Sequence, residues 1–138
     1  MFGGVESKLA QIIYGIPAVK SLDFGAGYSV GYMRGSQCND AYTIVDGKVK
    51  TLTNHAGGIL GGITNGMPVI FQVAIKPTPS ISLPQESISL DKGECQPLVV
   101  QGRHDPCIVP RAVPVVEAAA ALAFFDLILS NTQTPRRK

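Results

Sequence analysis

Between Thr53 and Gly66 the chain carries Gly57, Gly58, Gly61, Gly62 and Gly66, five of its 15 glycines. Glycine loses more backbone entropy on folding than any other residue. A cluster of this density therefore belongs where a side chain would block a positive φ or the close approach of another group to the main chain. The segment is launched from a strong hairpin signal. Tyr42-Thr43-Ile44-Val45 and Lys48-Val49-Lys50-Thr51-Leu52 flank Asp46-Gly47, a pair suited to a two-residue turn in which both central residues need positive φ.

The remaining elements follow from periodicity. Val5, Leu9, Ile12 and Ile13 form one stripe of an amphipathic helix, with Glu6, Ser7, Lys8 and Gln11 off it; Gly15 is expected as a left-handed helix end and Pro17 prevents resumption. Val19 to Phe24 alternates as a half-buried strand. Gly25-Ala26-Gly27-Tyr28-Ser29-Val30-Gly31 has GxGxxxG spacing with no periodic helix behind it, which suits a close-packed connection and not a dinucleotide fingerprint.

Val69 to Ile75 is apolar at nearly every position, the pattern of a strand buried on both faces, and ends in the stiff loop Lys76-Pro77-Thr78-Pro79-Ser80. Ser87–Leu90 and Leu98–Val100 suggest a second hairpin around Asp91-Lys92-Gly93-Glu94, with Pro97 placing one strand at an edge. From about Pro114 to Ser130 only Glu117 and Asp126 are charged, so a helix covered all round, central between layers, is expected. Residues 1–130 read as one domain and 131–138 as a polar, basic, disordered tail.

Composition narrows the function classes. At 138 residues, 45% hydrophobic and 16% charged, the chain is globular. Of its net charge of +2, Arg136, Arg137 and Lys138 supply three units, leaving residues 1–135 at −1, so no basic face for nucleic acid is expected. Cys38, Cys95 and Cys107 lack CxxC spacing and read as isolated thiols in a reducing, cytoplasmic setting. No signal-peptide pattern opens the sequence, and the longest apolar run, Ala118 to Phe125, is shorter than a membrane span, so no membrane partner is expected.

Few chemical motifs fit. His104 and Cys107, with Cys95 or His55, make a weak zinc pattern, and neither GxSxG nor a P-loop is present. Three segments remain: the glycine stretch, the Lys76-Pro77-Thr78 loop and Gly102-Arg103-His104-Asp105-Pro106. Backbone N–H groups freed by glycine, an ammonium, a guanidinium and hydroxyls are what a phosphate-bearing planar ligand would use.

Taken in order, Arg34-Gly-Ser-x-x-Asn-Asp40, Thr53-Asn54-x-x-Gly57-Gly58-Ile-x-Gly61-Gly62-Ile-x-Asn-Gly66, Lys76-Pro77-Thr78 and Gly102-Arg103-His104-Asp105-Pro106-Cys107 with Arg111-Ala-Val-Pro114 resemble the carboxy-terminal motifs of chorismate synthase. Ile16-Pro17-Ala18-Val19-Lys20 matches as well, and the likeness runs from about Val5 to Leu129. The resemblance implies an α/β (α+β) layered sandwich with helices packed between antiparallel β-sheets, here a partial fold. It implies a lyase of the shikimate pathway that eliminates phosphate from 5-enolpyruvylshikimate 3-phosphate in an anti-1,4 sense to give chorismate, on the way to the aromatic amino acids.

Reduced FMN would be the cofactor, with NADPH used only if the enzyme reduces its own flavin, and the assembly a homotetramer. By the same resemblance, Gly61, Lys76, Pro77, Thr78, Pro79, Ser80 and Arg103 would hold FMN, Arg103 would also meet the substrate, and Asp105 would act catalytically near flavin N5. Pro79 stands where the family usually has serine. The family's amino-terminal part, with its two catalytic histidines and most substrate-binding arginines, has no counterpart here, and His55 and His104 do not sit in those histidines' motifs. The 138-residue chain by itself is therefore expected to be inactive; the other expectation is a non-catalytic folded or assembling module that binds no cofactor.

Overall fold

A computed structural model describes residues 2–132. Val5, Leu9 and Ile13 recur on one side of helix α1 (Val5–Ile13), and all three are buried. Opposite them lie Ala119 and Ala123 of the last helix, α3 (Val109–Thr132), with Val19 and Ile59 completing the core. Alanine at the contact positions lets the two helix backbones approach closely. On the outside of the pair Lys8 Nζ donates to Asp126 Oδ2 at 2.9 Å.

Strand β1 (Val19–Phe24) runs antiparallel to β6 (Phe71–Ile75), pairing Phe24 with Phe71 and Val19 with Ile75, with a register shift between Val19 and Ser21. Phe71, Val73 and Ile75 pack toward the core, and the Phe24 and Phe71 rings lie 6.2 Å apart. Gln72 and Ala74 are exposed, so β6 is covered on one face where its apolar run predicts two.

The first hairpin forms as its turn residues require: β2 (Tyr42–Val45) and β3 (Lys48–Thr51) are joined by Asp46 at φ 52° and Gly47 at φ 71°. The second is shifted: β7 (Gln85–Ser89) pairs with β8 (Glu94–Leu98), and Pro97 is accommodated opposite Glu86. Two-residue strands β4 (Ile59–Leu60) and β5 (Ile63–Thr64) form a third hairpin inside the glycine stretch. A short helix, α2 (Gly35–Cys38), precedes Asp40, and Gly27–Tyr32 is a 3-10 turn. The architecture is thus mixed helix and antiparallel sheet, with four separate two-stranded sheets among the described residues.

Three local expectations change. Gly15 is not left-handed: its N–H donates to Ile12 O at 3.0 Å in a tightened last turn, and the positive φ falls on Ala18, at 70°. Helix α3 begins at Val109, five residues before Pro114, because a proline in the first turn has no helical N–H partner to lose; only Pro114 interrupts the ladder. The helix also runs on through Asn131 and Thr132, whose side chains bond back to Leu127 O and Leu129 O at 2.9 and 2.8 Å. The rest of the expected tail, residues 133–138, lies outside the described residues.

Nor is α3 covered all round: α1 and the core occupy one stripe, while Leu122 and Phe125 stand 63% and 59% exposed. By length and composition alone α3 is apolar enough to cross a membrane, which the run Ala118 to Phe125 did not indicate. The helix packed along it, however, turns Glu6, Ser7 and Gln11 outward, a polar face that hydrocarbon would not solvate.

Leu9→Ala should cost about 2–5 kcal/mol in urea unfolding of this chain, the range for emptying a well-packed leucine site. Leu122→Ala, equally large on the same two-helix layer but exposed, should stay within about 0.5 kcal/mol.

Candidate functional site

The antiparallel register that pairs Tyr42 with Thr51 puts Asp40 across from Thr53, at the entrance to the glycine stretch. There the Asp40 side chain is buried, at 8% exposure, and its carboxylate gathers the loop. Oδ1 accepts from the Thr53 hydroxyl at 2.7 Å and the His55 N–H at 2.8 Å, and Oδ2 accepts from the Ala56 N–H at 2.9 Å. Burial by itself raises the pKa of this carboxyl. The hydrogen bonds from Ala56, Thr53 and His55, with the positive potential of His55, outweigh it and hold the pKa below its ordinary value.

Asn54 continues the tie, donating from Nδ2 to Pro68 O at 2.9 Å and accepting at Oδ1 from the Gly58 N–H at 2.7 Å. What approaches the first two glycines is the chain's own backbone. Gly57 (φ 65°) lies so close to Gly25 that an added Cβ would sit 2.4 Å from the Gly25 nitrogen, and one on Gly58 (φ 80°) would sit 2.4 Å from Pro68 O. Gly61 and Gly62, at φ 59° and 81°, form the two-residue turn between β4 and β5. A Cβ on Gly61 would meet open space, while Gly62 O accepts the first N–H of α1, from Val5, at 2.9 Å.

At the far end of β6 the chain leaves as the Lys76 loop, anchored by the Lys76 N–H on Ala18 O at 2.7 Å. Lys76, Pro77 and Thr78 face Pro106, Cys107, Ile108 and Val109 across a shallow cleft of about 110 Å³. Thr78 is half-buried, while Lys76, Pro77, Pro79, Ser80 and Arg103 are exposed. Pro79 O accepts from Gln85 Nε2 at 3.0 Å. Asp105 Oδ2 lies 3.0 Å from Arg111 Nη2, an ion pair linking the loop to the first turns of α3, and the His104 ring is tied to Val100 O at 3.2 Å. Among the described residues no three His, Cys, Asp or Glu side chains converge as metal ligands.

Two of the three chemical segments therefore meet at the start of α3, and the third does not join them. Gly62, Ile63 and Thr64 instead line a larger cleft of about 420 Å³ with Gly3, Phe124 and Ile128, near the other end of α3. The two clefts are separated by roughly 20 Å of helix, at about 1.5 Å per residue. Asp40 escaped the reading of individual residues because its neighbours Asn39 and Ser36 look like ordinary turn formers. The available signal was the hairpin itself, whose two-residue turn fixes which residues before and after it must face each other.

A sequence profile of the chorismate synthase family matches residues 1–129, nearly all of the chain. The chain belongs to the chorismate synthase family. It is 50% identical over 136 residues to the chorismate synthase of Archaeoglobus fulgidus, covering 99% of this chain and 38% of that protein. The chorismate synthase of Lancefieldella parvula is 51% identical over 129 residues, covering 94% of this chain and 34% of the relative. A crystal structure of chorismate synthase superimposes with a TM-score of 0.52 at 36% identity, covering 55% of this chain and 23% of the other. The chain thus spans little more than a third of the length of these chorismate synthase relatives.

Asp40→Asn should destabilise the chain by about 1–3 kcal/mol at neutral pH, since an amide presents one acceptor atom where the carboxylate uses two. Because the folded pKa is the lower one, the stability contributed by Asp40 is complete above the unfolded value of about 4. It is lost as pH falls through the folded pKa. Urea midpoints taken between pH 7 and pH 3 should therefore fall more for wild type than for Asp40→Asn. Gly57→Ala should combine about 1–3 kcal/mol of left-handed strain with the backbone clash, whereas Gly61→Ala should show the strain alone; paired thermal melts would resolve the two.

Proposed function

We propose that this chain forms one side of a chorismate synthase active centre, in a complete enzyme that eliminates phosphate from 5-enolpyruvylshikimate 3-phosphate to give chorismate. The observation that carries the reading, beyond family membership, is the meeting of Lys76-Pro77-Thr78 with Pro106–Val109 beside the Asp105–Arg111 pair. The Lys76 ammonium, the Thr78 hydroxyl and the N-terminal end of a 24-residue helix all favour an anion.

A cleft of about 110 Å³ fits a phosphate-sized group and not a tricyclic ring. These residues therefore suit the anionic end of FMN, with the ring surface to be completed from outside this chain. When bound, reduced FMN supplies the electron density that eases C–O cleavage. Arg103, exposed on the same loop, is free to reach a flavin or substrate anion, and Asp105, oriented by Arg111, offers a carboxylate for proton management at the rim. A homotetramer and a cytoplasmic setting belong to the same proposal, with NADPH used only if the enzyme reduces its own flavin. The free thiols of Cys38, Cys95 and Cys107 support the cytoplasmic setting.

A second reading has its own support. The backbone contacts of Gly57 and Gly58 and the hairpin turn at Gly61 and Gly62 account for the glycine stretch without any ligand. On that view the chain is a folded module with no cofactor site of its own.

Anaerobic titration of the purified chain with reduced FMN separates the two. The first reading expects saturable binding, weakened about 10-fold or more by Lys76→Ala and by Arg103→Ala, as for loss of one charge-assisted hydrogen bond each. No binding, or binding indifferent to both variants, selects the module. Either way the chain alone should release no phosphate at a complete enzyme's rate.

A further inference from the structure

Gly66 follows Asn65 directly, and the pair closes the glycine stretch. An asparagine before a glycine can react with its own backbone: the next amide nitrogen attacks the side-chain carbonyl carbon, and no Cβ on the second residue stands in the way. A fold permits or blocks that attack through what the leaving amide and the attacking nitrogen are bonded to.

The asparagines of the chain differ in this respect. Asn54 engages both ends of its amide, Nδ2 on Pro68 O at 2.9 Å and Oδ1 on the Gly58 N–H at 2.7 Å, and the N–H of its successor His55 is held by Asp40. Asn131 lies in α3 with Nδ2 donating to Leu127 O at 2.9 Å. Asn39 precedes Asp40, whose Cβ and buried negative charge both oppose an anionic backbone nitrogen.

Asn65 alone among them combines three permissive features. Its Nδ2 is buried with no hydrogen-bond partner, so the departure of that nitrogen costs no bond. Its Oδ1 accepts from the Met67 N–H at 3.0 Å, a local turn that polarises the carbonyl and holds Cγ over the Gly66 peptide. Gly66 is exposed at φ 86°, an added Cβ there would meet open space, and no hydrogen bond engages its N–H.

We infer that Asn65 is a self-modification site of the folded chain, converted through a succinimide to aspartate and isoaspartate with water as the co-reactant. The Gly66 nitrogen, its proton taken by hydroxide, bonds to Asn65 Cγ; the Cγ–Nδ2 bond breaks, and ammonia leaves with a proton from water. Water then opens the ring. Attack at Cγ gives aspartate, and attack at the Asn65 main-chain carbonyl gives isoaspartate, with the backbone routed through the side chain and one methylene longer.

Either product places a negative charge where the structure buries an amide nitrogen, which is costly without a donor to meet it. Isoaspartate also displaces Met67 and Pro68, whose carbonyl oxygens lie 2.9 and 2.4 Å from a Cβ built on Gly58. The loop that Asp40 orders at its entrance thus loosens at its exit as the chain ages. The conversion needs neither flavin nor partner.

The test is incubation of the purified 138-residue chain at mildly alkaline pH, folded and in parallel in urea, followed by peptide mapping. In the folded chain residue 65 should show the mass gain of an amide turned acid, with isoaspartate confirmed by a protein-isoaspartate methyltransferase. Its folded and unfolded rates should agree within about 10-fold, while those at Asn54 and Asn131 should drop about 10-fold or more on folding, as their amide bonds must first break. Asn65→Asp, which mimics one product, should melt below wild type. Conversion of Asn65 in urea but not in the folded chain, or another asparagine converting first when folded, would overturn the inference. A mass gain without isoaspartate would rule out the succinimide, and an unchanged melt for Asn65→Asp would rule out the loosened loop.

Discussion

The carboxylate of Asp40 accepts a hydroxyl and two backbone N–H groups from a segment that has almost no side chains of its own to pack, and the placement of everything around that segment depends on it. Glycine-rich backbone is costly to order, and its polar groups need partners once buried. One buried anion partners two of those backbone N–H groups, and the Thr53 hydroxyl besides, at the mouth of the loop. With His55 and Ala56 fixed, Gly57 can lie against Gly25 and Gly58 against Pro68, which locks the loop to the exit of β1 and the approach to β6. The small hairpin beyond then delivers Gly62 O to the first N–H of α1, so the helix that carries the core begins on the loop that Asp40 shapes.

The second organising contact, α1 on α3, is economical. Leu9 and Ile13 are fully buried against alanines, yet the core they complete has few members and draws on only one stripe of each helix. Among the described residues, Val115, Leu122, Phe125 and Leu129 of α3 stay exposed and each sheet stops at two strands. The chorismate synthase relatives are nearly three times as long as this chain.

Chemistry-bearing groups are distributed accordingly. Lys76, Thr78, Asp105 and Arg111 gather at the start of α3, and the Gly61 turn lies at the other end. A strand and a helix of fixed rise set that separation, so no side-chain movement closes it. Any ligand that touches both ends within one chain must be about 20 Å long, or the two ends serve different surfaces of a larger assembly.

Much of this was legible in the residues. Asp46-Gly47 fixed the first hairpin because only a turn with two positive φ angles fits it, and the stripe Val5, Leu9, Ile13 marked the buried side of α1. The order of short motifs identified the family, since each depends on local residue types. What the residues could not give was contact at a distance. The pairing of Asp40 with the glycine loop arises from hairpin register, and the positive φ of Ala18 from the way α1 must turn into β1. Apolar periodicity in β6 and α3 records that a face is to be buried, but only the tertiary structure shows whether this chain or another body buries it, because hydrophobic burial is non-directional and any apolar surface can provide it.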